Sequence, residues 1–423
     1  MSTLIIKNAT IADPGNALNG EKLHIFIENG VIKSISDKGD GVADQVVDAE
    51  GYYVSCGWID TLAYCGEPGE EWKEDLNSLA AAAAAGGYTS VAAFCGNHPY
   101  PDKASAIASL VSASASLPCN ILPYGTATKG REGKEISEMF DMKKAGAVGF
   151  FDGDSVLCNQ GLKSRLLEYA KNCDVPLMLF PFNSDLAPGG MMHDGVQSNS
   201  MGLKGIPSIC ETAEVNANLE LAAWLNTPLR LARISTAGSV ERIRTAKKEG
   251  IQVTAITPAM NLLFTDSDLA AFDENYKVLP PLRTETDRMT LVAGLLDGTL
   301  DAVCSNHKPE DTENKDVEFE YAAFGAATIQ NTFHILVQAL GDKVTAEKLA
   351  QWLTHGPRKY LGLDATSLKV GEPADLTLFQ FAGAVHFTDA LNISKSNNNP
   401  MLHRELNGRV LGTVCRGEWH SNN

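Results

Sequence analysis

Two carboxylates mark the first place in this chain where chemistry could occur. Asp60 and Glu67 stand at and just beyond the end of an apolar, strand-like run, Tyr52 to Ile59, in the segment Asp60-Thr61-Leu62-Ala63-Tyr64-Cys65-Gly66-Glu67-Pro68-Gly69. Carboxylates at a strand end can ligate a metal or act as general acid and base. Glu67-Pro68-Gly69 reads equally well as a turn, so a ligand role is not expected for either residue. His307 sits at another predicted strand end, in Ser305-Asn306-His307-Lys308-Pro309. With the amide of Asn306 beside it, a structural role is expected. Met191-Met192-His193-Asp194 has the donors of a soft-metal site, but its place in a long loop favours packing. Cys65 and Cys95 fall near strand ends, yet no histidine stands at a spacing that would make either a nucleophile. The other histidines, His24, His98, His334, His355, His386, His403 and His420, show no ligand spacing.

The elements that must position these residues alternate. A helix over Leu76 to Ala85 stops at Gly86-Gly87 and is followed by a buried strand, Tyr88 to Phe94. Further helix-strand pairs are read at Ser137–Ala145 and Ala147–Phe151, Lys163–Asn172 and Leu177–Phe180, and Ala213–Leu225 and Leu229–Ile234. Two more follow at Val240–Glu249 and Gln252–Ile256, and at Asp287–Leu296 and Ala302–Ser305. So many strand-helix units predict a parallel TIM (β/α)8 barrel, distortion admitted, over residues 56–364. An open doubly wound sheet lacks the Gly-rich phosphate fingerprint it would need. Both ends of the chain are β-rich: Leu4–Ile6, His24–Glu28 and Val31–Ser34 joined by an Asn29-Gly30 turn, then Leu376–Phe379 and a strand pair around Gly408–Val414. Residues 1–55 and 365–423 are therefore expected to form one small composite β-sandwich domain.

A length of 423 residues suits a barrel plus an accessory domain. The net charge of −17 repels phosphate backbones and argues against nucleic-acid or anionic-membrane partners. No apolar run could span a bilayer and no signal peptide is read at Met1-Ser2-Thr3-Leu4, so a cytoplasmic location is expected. The nine cysteines are scattered without a C-x-x-C pair and read mostly as small core residues.

Seven motifs in order carry a family resemblance. They are Gly57-Trp58-Ile59-Asp60 with Glu67-Pro68-Gly69; Gly86-Gly87-Tyr88-Thr89-Ser90-Val91; Gly202-Leu203-Lys204-Gly205-Ile206-Pro207 with Glu211; Ser235-Thr236-Ala237-Gly238-Ser239-Val240; Pro281-Leu282-Arg283; Asp297-Gly298-Thr299-Leu300-Asp301; and Ser305-Asn306-His307-Lys308-Pro309. Each is weak alone. Together they make the chain resemble, over nearly its whole length, a dihydroorotase of the longer bacterial class in the amidohydrolase superfamily.

The resemblance implies reversible hydrolysis of dihydroorotate to carbamoyl aspartate at zinc, which needs His and carboxylate ligands at several strand ends. It also shows what replaces them. The His-x-His of the first strand falls on Leu62 and Tyr64, the next metal-binding His on Phe180, with Phe182 and Asn183 in place of an acidic pair, and the third on Arg233, whose guanidinium has no lone pair to give. The catalytic Asp falls on Asn306, next to His307. A bridging carboxylate could survive at Asp152, although Gly153 and Asp154 reverse the expected order. The substrate-clamping Arg falls on Gly66, and a substrate-binding Asn on Gly96. The resemblance thus implies a degenerate site with no catalytic, metal or substrate residue left, and no zinc. Large side chains at Leu62, Tyr64 and Phe180 are expected to close the old cavity. The expected role is that of a non-catalytic partner or scaffold of aspartate carbamoyltransferase, in a homo- or hetero-oligomer. The alternative is an active metal-dependent dihydroorotase, or another cyclic amidohydrolase, holding zinc in an atypical site.

Overall fold

A computed structural model describes residues 2–39, 41–96 and 99–422 of the chain; His98 lies outside the described residues. The N-terminal strands are β1 (Thr3–Ile11), β2 (Lys22–Glu28), β3 (Val31–Ser36), β4 (Gln45–Asp48) and β5 (Tyr53–Cys56). Next come β6 (Trp58–Cys65), β7 (Tyr88–Cys95), β8 (Asn120–Gly125), β9 (Gly149–Phe150) and β10 (Met178–Leu179). They are followed by β11 (Met192–His193), β12 (Gly205–Ile206), β13 (Leu229–Leu231), β14 (Val253–Pro258) and β15 (Ala302–Cys304), and the C-terminal strands are β16 (Leu376–His386), β17 (Glu405–Cys415) and β18 (Glu418–Ser421).

Eight parallel strands form the barrel. Strands β6-β7-β8-β9 pair in one sheet and β10-β13-β14-β15 in another. Parallel bridges from Phe150 to Leu177 and from Ala63 to His307 join the two into a ring. Its interior is packed, as small barrels require, by Ile59, Leu62, Tyr124, Met178, Ile256 and Cys304 among others. Helices cover the outside, and their starts are fixed by side-chain caps: Asp75 for Leu76–Ala85, Asn159 for Gln160–Asn172, Thr236 for Ala237–Lys248 and Thr284 for Glu285–Leu296. Strand β8 does not stand out in the sequence because Pro123 and Gly125 interrupt its pattern.

The chain ends share one sheet, in the order β18-β17-β16-β5-β1-β2-β3, with β4 also on β1. Leu4, Ile6, Ile25, Val54, Leu376 and Val414 build its core from both termini. Asn29 and Gly30 turn from β2 to β3 with φ of 50° and 75°, the left-handed pair that a tight hairpin needs.

The run Tyr52–Ile59 is not one strand. It divides at Gly57: β5 belongs to the terminal sheet and β6 to the barrel. A Cβ at Gly57 would lie 2.0 Å from Thr89 Oγ1, so only glycine lets the chain pass between the two sheets there. Met192–His193 is likewise not simple loop, for it pairs in parallel with Gly205–Ile206. Among the described residues, no helix is long and apolar enough to cross a membrane.

Candidate active site at the barrel mouth

The ring is closed by groups that sequence alone offered as ligands. Asp60 is fully buried, and its carboxylate accepts Ser305 N–H at 2.8 Å and the Ser305 hydroxyl. Burial pushes its pKa up to about 6, against the opposing hydrogen bonds from Ser305. The residue stitches β15 to β6. His307 does similar work: its carbonyl accepts Tyr64 N–H at 2.8 Å, and its Nδ1 accepts Ile329 N–H at 3.4 Å. That leaves the proton on Nε2, 3.3 Å from Glu74 Oε2. Glu74, fully buried, also takes the Ser394 hydroxyl and thereby ties the mouth to the segment before β17. Glu67 Oε2 accepts Leu76 N–H at 2.9 Å at the start of a helix.

The positions matched to metal ligands hold a different construction. Leu62 is buried in the barrel interior. Phe180, 8% exposed, stacks on Phe182 with ring centroids 5.4 Å apart. Arg233, 1% exposed, lays its guanidinium 3.7 Å above the Phe180 ring, a cation–π contact. Its Nη1 lies 2.6 Å from Asp154 Oδ1, and its Nη2 donates to Gly153 O at 3.3 Å. Asp154 Oδ1 also accepts the Tyr64 hydroxyl at 3.0 Å, while Oδ2 takes Lys308 Nζ at 2.8 Å. Burial alone would raise the Asp154 carboxyl, but Lys308 and Arg233 outweigh it and hold the group far below the ordinary carboxylate range. The centre of the mouth is thus one carboxylate between two cations, roofed by aromatic rings.

Asp152 does not face this centre. Its oxygens accept Ala127 N–H at 2.7 Å, Thr128 N–H at 3.1 Å and the Thr128 hydroxyl at 2.6 Å, which fastens the loop after β8. Asn306 donates to Leu279 O at 3.2 Å, and its own Oδ1 is buried without a partner among the described residues. At Gly66 a Cβ would lie 2.1 Å from Glu70 O, and at Gly96 one would lie 2.8 Å from Pro68 Cδ. Backbone and proline fill the space that an Arg and an Asn side chain would need. His193 Nδ1 meets Arg283 Nη1 at 3.2 Å. Among the described residues, no three His, Cys, Asp or Glu side chains gather as a metal-binding group. All nine cysteines are free, and the hydrogen bond with Cys95, followed by burial, raises the Cys65 thiol well above its ordinary value.

A cleft of about 290 Å³ remains over Tyr64, which is only partly buried, with Phe94, Arg131, Asp154 and Lys308 around it. Phe180 borders instead a space of about 10 Å³. Sequence reasoning passed over Asp154 and Lys308, the two partners of the central cluster. Arg233 was itself the available signal, since a guanidinium buried at a barrel mouth calls for a carboxylate within reach, here two strands away around the ring.

The Dihydro-orotase-like family model matches residues 52–238. The dihydroorotase of Geobacter sp. (strain M21) is 35% identical over 422 residues, 98% of this chain and 98% of that protein. The dihydroorotase of Carboxydothermus hydrogenoformans is 34% identical over 419 residues, covering 98% and 97%. The chain belongs to the dihydroorotase family. The wider amidohydrolase architecture is seen in the L-hydantoinase of Arthrobacter aurescens, which superposes with a TM-score of 0.87 at 20% identity over 100% of this chain and 96% of that one. A D-hydantoinase gives 0.83 at 22% identity, over 99% and 95%. In this dihydroorotase-family chain the barrel and terminal sheet are those of the hydrolases, while the mouth is held by the Arg233–Asp154–Lys308 cluster.

Proposed function

We propose that this dihydroorotase-family protein serves pyrimidine biosynthesis without hydrolysing dihydroorotate, as a cytoplasmic, non-catalytic partner or scaffold of aspartate carbamoyltransferase. One observation carries the proposal: the buried Arg233 guanidinium, paired with Asp154 where the family places a metal-binding histidine. The donor set does not fit zinc. Leu62 and Phe180 offer no lone pair, Arg233 stays protonated, Asp152 is committed to Ala127 and Thr128, and Asp154 is already neutralised by two cations. An added dication would meet the positive charge of the buried Arg233 guanidinium at close range. Asn306 cannot act as a base, and the Gly66 turn has no room for a carboxylate-clamping arginine.

The family resemblance supplies the partner, since long-class dihydroorotases assemble with aspartate carbamoyltransferase. The test begins with protein expressed in zinc-supplemented medium. Elemental analysis is expected to find no stoichiometric zinc, and a dihydroorotate assay no turnover. The transferase of the same cell is expected to co-purify and to change its assembly or activity when the subunit is removed. Failure of that association would remove the scaffold role. A working metal-dependent dihydroorotase is the second reading, favoured by relatives of that name aligned over 98% of the chain. Stoichiometric zinc with turnover would establish it in place of the first.

A further inference from the structure

The barrel has a second concavity, at the end opposite the mouth. A cavity of about 530 Å³ opens below the N-terminal ends of β9, β10 and β13, bounded by Val148, Pro176, Leu177 and Pro228. Its volume lies within the roughly 300–1,000 Å³ typical of small-ligand sites. Leu122, Leu167 and Leu363 complete a largely apolar wall.

One polar group in that wall is unspent. Arg230, in β13, donates Nε–H to Tyr360 O at 2.8 Å, and among the described residues no carboxylate pairs with it. Its Nη2 lies beside Gly362, where a Cβ would stand 3.6 Å away. Burial pulls the Arg230 guanidinium below its ordinary value, outweighing the opposing influence of Tyr360, Tyr124 and Asp174. The two lysines at the rim are occupied otherwise. Lys143 Nζ donates to the carbonyls of Cys173 and Asp174, and Lys171 Nζ to those of Leu225 and Asn226. The cavity therefore presents largely apolar walls interrupted by Thr227 and Asp174, whose carboxylate lies 3.6 Å from Lys143 Nζ, and one guanidinium edge, Nη1 and Nη2, that makes no ion pair among the described residues. A planar carboxylate satisfies such an edge with two parallel hydrogen bonds, and the remainder of the ligand must be apolar to meet the walls.

We propose that this cavity binds a small monocarboxylate with an apolar body, of the medium-chain fatty acid or arylcarboxylate class, its carboxylate on Arg230. The site is independent of the mouth and of any role assigned to it. Octanoate is the probe, titrated calorimetrically into the full chain, with 1-octanol as the uncharged comparison. Octanoate is expected to bind saturably at one site. Arg230→Gln should weaken it by about tenfold or more through loss of the charged fork, while leaving 1-octanol unchanged. Leu363→Trp, which fills the cavity from its edge, should weaken both. Thermal melts establish that each variant is folded; Arg230→Lys, which keeps the charge but not the fork, replaces the glutamine variant if that one does not fold. Absence of saturable octanoate binding to the wild type, or octanoate binding that either variant leaves within roughly twofold, overturns the proposal.

Discussion

At the scale of single residues, the mouth shows how a charged side chain is accommodated at a position matched to a metal ligand. Arg233 and Asn306 have φ of 58° and 51°, a left-handed backbone that costs on the order of 1–3 kcal/mol for a non-glycine residue and gathers at functional sites. Asparagine tolerates it better than arginine does. The strain in Arg233 is held by its neighbours, chiefly Asp154 and the Phe180 ring. Removing one partner of such a pair strands the other, so Arg233→Met is expected to destabilise the protein by about 3 kcal/mol or more in urea unfolding. Lys308 still covers Asp154 on the other side, which limits the loss. The double variant Arg233→Met/Asp154→Asn should recover part of it. If the double variant is as unstable as the sum of the two single ones, Arg233 and Asp154 do not act as a coupled pair.

At the scale of elements, glycines decide where the chain can run. The turn after β6 packs Gly66 against Glu70 O, with Gly66 N–H donating to Glu74 O at 3.0 Å. Gly66→Ala is expected to cost roughly 1–3 kcal/mol, because the clash is with backbone that cannot swing aside. Gly66→Arg, the family's residue, should be no better tolerated; a melting temperature equal to wild type for either variant would show that the turn can open. Gly57 has the same status at the junction of sheet and barrel, where Thr89 stands in the way of any side chain.

At the scale of the whole molecule, the terminal sheet is fastened to the barrel through buried polar groups. Asp13 accepts Asn16 Nδ2 at 2.9 Å, the Ser367 hydroxyl at 2.7 Å and Leu368 N–H at 2.7 Å, with His355 Nε2 at 3.4 Å from its other oxygen. Burial acts to raise its pKa, but His355, Ser367, Asn16 and Leu368 outweigh it and lower the value from 3.8 to about 2. A depressed carboxyl stabilises the fold fully above its unfolded value and loses that contribution as pH falls from about 4 to about 2. Asp13→Asn is therefore expected to lower stability at pH 7 by on the order of 2 kcal/mol and to cost progressively less below pH 4. Urea midpoints of both proteins across that range measure the difference, and a gap independent of pH would contradict the assignment.

The sequence by itself determined the alternation of strands and helices, the union of both chain ends in one sheet, the family, and the side-chain types at Leu62, Phe180, Arg233 and Asn306. These are properties of local periodicity and of motifs in order, which need no knowledge of distance. Only the tertiary structure decided what those residues touch. Asp152 and Asp154 are two positions apart, yet one fastens the loop after β8 and the other anchors Arg233 and Lys308. Asp60 and His307, 247 positions apart by the numbering, hold the same seam of the ring. Such pairings depend on where strand ends meet around a closed barrel, and long-range register is not written in the spacing of residues along the chain.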